Sequence, residues 1–110
     1  MRLRKPIDAY AQLYWKGSFY RANAVEIGNR SIRLELQPGD LTEVDEFRKT
    51  QPLVGLLLSQ DNGEVAPQRL LAQVSQVGTP GDRLTIELEF PEQIMQRQES
   101  KIRQLVKSLN

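Results

Sequence analysis

From Ile7 to Trp15 the chain alternates. Ile7, Ala9, Ala11, Leu13 and Trp15 are apolar, and Asp8, Tyr10, Gln12, Tyr14 and Lys16 fall between or after them. A period of two marks a strand with one face turned inward. Lys16-Gly17 then predicts a short hairpin turn, with Gly17 supplying a positive φ. The return strand, Phe19 to Ile27, slips in its alternation. Tyr20, Ala22 and Ala24 share one face, after which Val25 and Ile27 share the other, so a bulge is expected near Ala24. Gly28-Asn29 breaks the chain, and Ile32, Leu34 and Leu36 resume the pattern against Ser31, Arg33 and Glu35.

Pro38-Gly39-Asp40 ends that strand. A short helical turn is expected next, with Asp40 as N-cap, Glu43 three residues on, and Leu41, Val44 and Phe47 on one side. Leu53 to Leu58 reads as a buried strand and Asp61-Asn62-Gly63 as a hairpin. Leu70, Ala72 and Val74 form the core side of the next strand, and residues 78–82 turn the chain. Leu84, Ile86, Leu88 and Phe90 then alternate with Arg83, Thr85, Glu87 and Glu89. From Pro91 the period changes. Ile94, Met95, Ile102, Leu105, Val106 and Leu109 fit one stripe of a helix over about residues 91–109, with Gln98 in its middle. Pro91 suits the first helical turn.

About six half-buried strands must close or stack to hide their inner faces. The expected fold is all-β: a six-stranded antiparallel small β-barrel with a C-terminal α-helix, formed by residues 1–110 as a single domain.

Composition narrows the chemistry. The 110 residues carry 39% hydrophobic and 26% charged side chains, with a net charge of +1. No global basic field is present to hold nucleic acid, and the aromatic count is low for a stacking surface. There is no cysteine and no histidine. That removes thiol and imidazole chemistry, and the sequence shows no metal-ligand cluster, phosphate loop or nucleophile constellation. The expectation is a domain that is not itself an enzyme and holds no metal. The longest apolar run, Leu53 to Leu58, is too short to span a bilayer, so no direct membrane insertion by this chain is expected. Glu35, Glu87 and Glu89, with Arg33 and Arg83 beside them, read as weak surface ion pairs.

Three features are candidates for binding. Arg2, Arg4 and Lys5 form a basic arm ahead of the first strand. Arginine's planar fork grips phosphate or a guanine edge, so the arm reads either as a nucleotide clamp or as a solubilising terminus. The turn at Gly28, Asn29, Arg30 and Ser31 either presents polar groups to a ligand or is simple punctuation. Tyr14 and Trp15 either stack on a base or pack the barrel.

Taken together, the basic arm, the strand pair and the turn near residue 28 resemble the PilZ domain over essentially the whole chain. The stretch LQPGDLTEVDEF sits where that family carries its "pG" loop. LLAQVSQV is similar to its later strand, and LTIELEF to its final strand before the helix. The version in the C-terminal region of bacterial cellulose synthase catalytic subunits is the most similar type. The resemblance implies cyclic di-GMP as ligand, held by an R-x-x-x-R segment and a D/N-x-S-x-x-G motif. On the latter, Glu26 takes the acidic position, Gly28 the serine and Ser31 the glycine. Arg4 falls at the second arginine, the first would precede Met1, and Arg2 does not keep the spacing. The implied site is therefore Arg2, Arg4, Glu26, Gly28, Asn29, Arg30 and Ser31. Each departure from the motif is worth about 1–3 kcal/mol, so weakened or lost binding is implied alongside. The resemblance further implies a unit of, or a partner to, a cellulose synthase-type glycosyltransferase, at the cytoplasmic face of the inner membrane. The alternative is a ligand-independent protein–protein interaction module, docking through Trp15 or the helix stripe with Gln98.

Overall fold

The computed structural model describes residues 5–28, 30–37, 39, 43–59, 68–79 and 83–108. Among them lie strands β1 (Lys5–Trp15), β2 (Ser18–Ile27), β3 (Ser31–Leu36), β4 (Leu53–Ser59), β5 (Gln68–Gly78) and β6 (Leu84–Glu89). Helix α1 (Val44–Thr50) joins β3 to β4, and helix α2 (Glu92–Ser108) follows β6. The strands close into a barrel in the order β1-β2-β3-β6-β5-β4, each neighbour antiparallel. The chain thus forms two three-stranded meanders, joined along the β1–β4 and β3–β6 seams. Among the described strands, closure leaves no sheet edge for another chain to pair with.

The expected inward positions fill the barrel. Leu13, Ala24, Ile27, Leu34, Leu58, Ala72, Ile86 and Leu88 are wholly buried. Leu53 to Leu58 is not buried on both faces: Val54, Leu56 and Leu58 point in, whereas Leu53 is exposed. The β1–β2 turn places both Lys16 (φ 51°) and Gly17 (φ 79°) in the left-handed region, the twist that matches a two-residue hairpin. The expected bulge lies at Val25, where the β2–β3 register shifts between Ala24 and Glu26. Its effect differs from the expectation. The extra residue returns Ile27 to the core with Ala24 and leaves Val25 and Glu26 half-buried on the outside. A second bulge, at Ser75 in β5, carries Val77 back inward. The Gln51 side-chain amide donates to the Ser75 carbonyl, and the Ser75 hydroxyl donates to that of Glu87.

Helix α1 is capped by Glu43, not Asp40, without a side-chain capping bond; Asp40, Leu41 and Asp61-Asn62-Gly63 lie outside the described residues. Phe47 is its buried anchor, edge-on to Trp15 with ring centroids 4.8 Å apart. Trp15 is therefore core and not a docking residue.

Pro91 begins the tail as expected, its carbonyl accepting from Ile94 and Met95. The helix is not continuous, because Gln98 has φ −129° and ψ 21°. Its side chain is buried against β5, where its amide oxygen accepts from the Leu71 N–H (3.2 Å) and its amide nitrogen donates to the Leu71 carbonyl (2.9 Å). The reason is in the register. Gln73 pairs with Glu89, which carries Leu71 opposite position 91. Proline has no N–H to give and the chain has turned away, so Gln98 supplies the missing peptide group from its side chain.

Candidate functional site

The Val25 bulge turns Glu26 outward onto the wall formed by β2, β3 and β6. Arg33 stands opposite both Glu26 on β2 and Glu87 on β6. Its Nη1 donates to Glu26 (3.2 Å) and its Nε to Glu87 (2.5 Å), so one guanidinium bridges two carboxylates across three strands. Arg83 donates to Glu35 at 3.0 Å on the same wall. These residues, with Val25, Gln76, Gly78 and Thr85, line an open groove of about 700 Å³. A second groove of about 780 Å³ adjoins it over β1 and β2, sharing Val25, Glu35 and Arg83.

The turn beside this wall is closed by the Gly28 N–H donating to the Ser31 carbonyl (2.8 Å), and it is tied to β6 by the Phe90 N–H donating to the Arg30 carbonyl (2.8 Å). Arg30 is exposed. Ser31 shares the outward side of β3 with Arg33 and Glu35 but is only 5% exposed. Among the described residues the glycine with a positive φ is Gly17; Gly28 contributes a backbone donor that closes the turn. Arg2, Arg4 and Asn29 lie outside the described residues. Lys5, however, pairs with Ile27 and Pro6 with Glu26, so the first strand enters directly beside the turn. The barrel thus brings Glu26, Gly28, Arg30 and Ser31 to one end of the wall, where the basic leader joins β1.

The residues that the sequence reading did not assign to the site are Arg33, Glu87, Glu35 and Arg83. Their signal was present in outward positions of opposite charge on neighbouring strands, but pairing β3 with β6 across 50 residues of chain is not legible from periodicity. The groove presents three carboxylates against two guanidiniums. A doubly negative ligand placed there needs further cations, and among the described residues Arg30 is exposed at this end.

No family profile and no curated protein matches the sequence. Solved structures do. The chain is similar to the Bacillus subtilis inhibitor of motility MotI/DgrA, at TM-score 0.67 and 14% identity over 97% of this chain and 49% of that one. It is also similar to Borreliella burgdorferi PlzA, solved in complex with c-di-GMP, at TM-score 0.54 and 14% identity over 92% of this chain and 46% of that one. The chain spans about half the length of each. At that identity the likeness establishes the fold alone: the closed six-stranded antiparallel barrel with a C-terminal helix that the PilZ resemblance implied.

Proposed function

We propose that this chain is a regulatory barrel that takes cyclic di-GMP at the wall beside Glu26. One observation carries the reading. The first strand pairs Lys5 with Ile27 and Pro6 with Glu26, so β1 begins beside the acidic position and the turn of the motif, and Arg2 and Arg4 come just before it in sequence. The fold is also like that of a protein solved with this ligand. In this reading Arg2, Arg4 and Arg30 meet the two phosphates and stack on guanine, as planar guanidinium groups do. Glu26 either accepts from a guanine edge directly or acts through Arg33, which it already holds. Asn29 and Ser31 line the turn. Because the fixed wall carries an excess of carboxylates, the leader's charge is indispensable and not merely helpful.

By the sequence resemblance, the protein regulated is a cellulose synthase-type glycosyltransferase at the cytoplasmic face of the inner membrane. Ligand binding there biases a gating segment of the catalytic domain. A second reading, a module that binds protein without any nucleotide, is favoured by aromatic side chains left exposed on another part of the barrel.

Calorimetric titration with cyclic di-GMP tests the first reading. Saturable heat is expected for the intact chain. Glu26→Ala weakens it about tenfold to a hundredfold, as loss of one buried polar partner does, and removing residues 1–4 abolishes it. Absence of heat at millimolar ligand, or unchanged affinity without residues 1–4, overturns it.

A further inference from the structure

Past Asn23, β2 and β3 part. Their pairing runs from Ile27 with Ile32 as far as Asn23 with Glu35, whereas β2 keeps its pairing with β1 up to Ser18. The groove of about 780 Å³ lies over this split, on the hairpin side of β2 and away from the turn at Gly28. Ala11 and Ala22, small and buried, form its floor, and Tyr10, Gln12, Arg21 and Asn23 stand exposed around it. Arg83 enters from the other side. It begins on the β6 side, but its Nη1 donates to Glu35 at 3.0 Å, so its guanidinium lies over β3 and next to β2. The side chains therefore meet over three neighbouring strands, β1, β2 and β3.

Much of this groove's bonding capacity is unused. Among the described residues Gln12, Arg21 and Asn23 have no hydrogen-bond or ion-pair partner. Tyr10 is 55% exposed, and among the described residues its ring packs on no other ring. The four side chains form two rows, with Tyr10 opposite Asn23 and Gln12 opposite Arg21. The rows are two residues apart, about 7 Å.

Each row has its own chemistry. In the first, the Tyr10 ring is a surface on which a planar base stacks. Asn23 beside it offers a donor and an acceptor on one amide. That pair matches the donor and acceptor on the edge of adenine, and not the two acceptors of guanine. In the second row Arg21 and the incoming Arg83 set two guanidiniums against the one carboxylate of Glu35. The surplus is positive, the reverse of the wall at Glu26, and suits a phosphate. A neutral sugar answers the ring and the amides but leaves Arg21 without a counter-charge. The groove also falls within the size range of small-ligand sites, about 300–1,000 Å³.

We propose that this groove binds an adenine mononucleotide. The base lies on Tyr10 with its edge on Asn23, Gln12 faces the ribose, and the phosphate meets Arg21 and Arg83. The site is separate from the one at Glu26 and stands without cyclic di-GMP binding.

Titration of the intact chain with adenosine monophosphate, followed by calorimetry and by amide chemical shifts, tests it. Saturable binding is expected, with shifts centred on Gln12, Arg21 and Asn23. Adenosine, which lacks the phosphate, and guanosine monophosphate, whose edge mismatches Asn23, each bind at least tenfold more weakly. Arg21→Ala, at an exposed position, weakens adenosine monophosphate about tenfold, leaves adenosine unchanged and does not alter the melting curve. Asn23→Ala brings the adenine and guanine nucleotides to equal affinity. No saturable binding at millimolar ligand, adenosine or guanosine monophosphate binding as tightly, or affinities unmoved by either variant overturns the proposal. So do shifts centred on Glu26 and Arg33, which assign the nucleotide to the other wall. Glu26→Ala, which weakens cyclic di-GMP, leaves adenosine monophosphate binding as it was, so the two readings fail separately.

Discussion

A single side chain, Gln98, decides how the tail meets the barrel. Its primary amide carries one donor and one acceptor in the geometry of a peptide group, and the Leu71 peptide takes both. Gln98→Leu keeps most of the volume but leaves the Leu71 N–H and carbonyl without their partners. A cost of about 1–3 kcal/mol is expected, the penalty of a buried polar group left unmade. Urea denaturation measures it, and amide exchange at Leu71, accelerated in the variant, locates it. Gln98→Glu keeps the acceptor but, while ionised, loses the donor; protonated at acid pH it regains an O–H donor, and there it falls between wild type and Gln98→Leu. In sequence this residue was visible only as a polar interruption of an apolar stripe. Its role depends on Pro91 ending the β5–β6 ladder one pair early, and a register between strands is not written in either strand alone.

At the level of elements, alternation named all six strands and their inward residues. It also located the first bulge, because a slip in a period-two pattern has few other causes. It misassigned the faces beyond the slip, and Glu26 reached the outer wall by the bulge and not by simple alternation. The Ser75 bulge escaped because Val74 and Val77 read equally well as ends of a regular strand. The short helix between β3 and β4 was visible through Val44 and Phe47, but what holds it was not. Lys16, at the β1–β2 turn, donates to Glu46 on α1, thirty residues on, and lies over the Trp15 ring at 4.9 Å. The hydrogen bond from Lys16 holds the Glu46 carboxyl below its usual range, and the bond to Glu46 raises Lys16 above its own. A lowered carboxyl stabilises the fold above its ordinary range and ceases to do so as pH falls through the lowered value. A raised ammonium stabilises below its ordinary range and ceases to do so as pH rises through the raised value. The pair therefore contributes across the neutral range and fades at both extremes. Both groups are exposed, so the effect is small and salt-sensitive. The melting-temperature difference between wild type and Lys16→Ala is expected to be widest at neutral pH and low salt, and to close on acidification. An NMR titration finds the Glu46 midpoint higher in the variant.

For the molecule as a whole, closure makes one core out of two meanders, and Phe47 joins the connecting helix to it. A seven-residue helix has no stability of its own in water. It stands here because Phe47, wholly buried, sits edge-on to Trp15, while Gln51 closes the helix with its N–H on the Phe47 carbonyl. Helix and barrel therefore form one cooperative unit. Phe47→Ala is expected to cost about 3–5 kcal/mol, a large share of the roughly 5–15 kcal/mol available to a domain of this kind. It is also expected to leave a single transition. Far-ultraviolet dichroism, reporting strands and helices, and Trp15 fluorescence, reporting the contact itself, should give coincident urea curves with one lowered midpoint. Curves that separate, with Trp15 released while the strands persist, show α1 to be an appendage. Coincident curves show that a change on either outer wall acts on a body that moves as one.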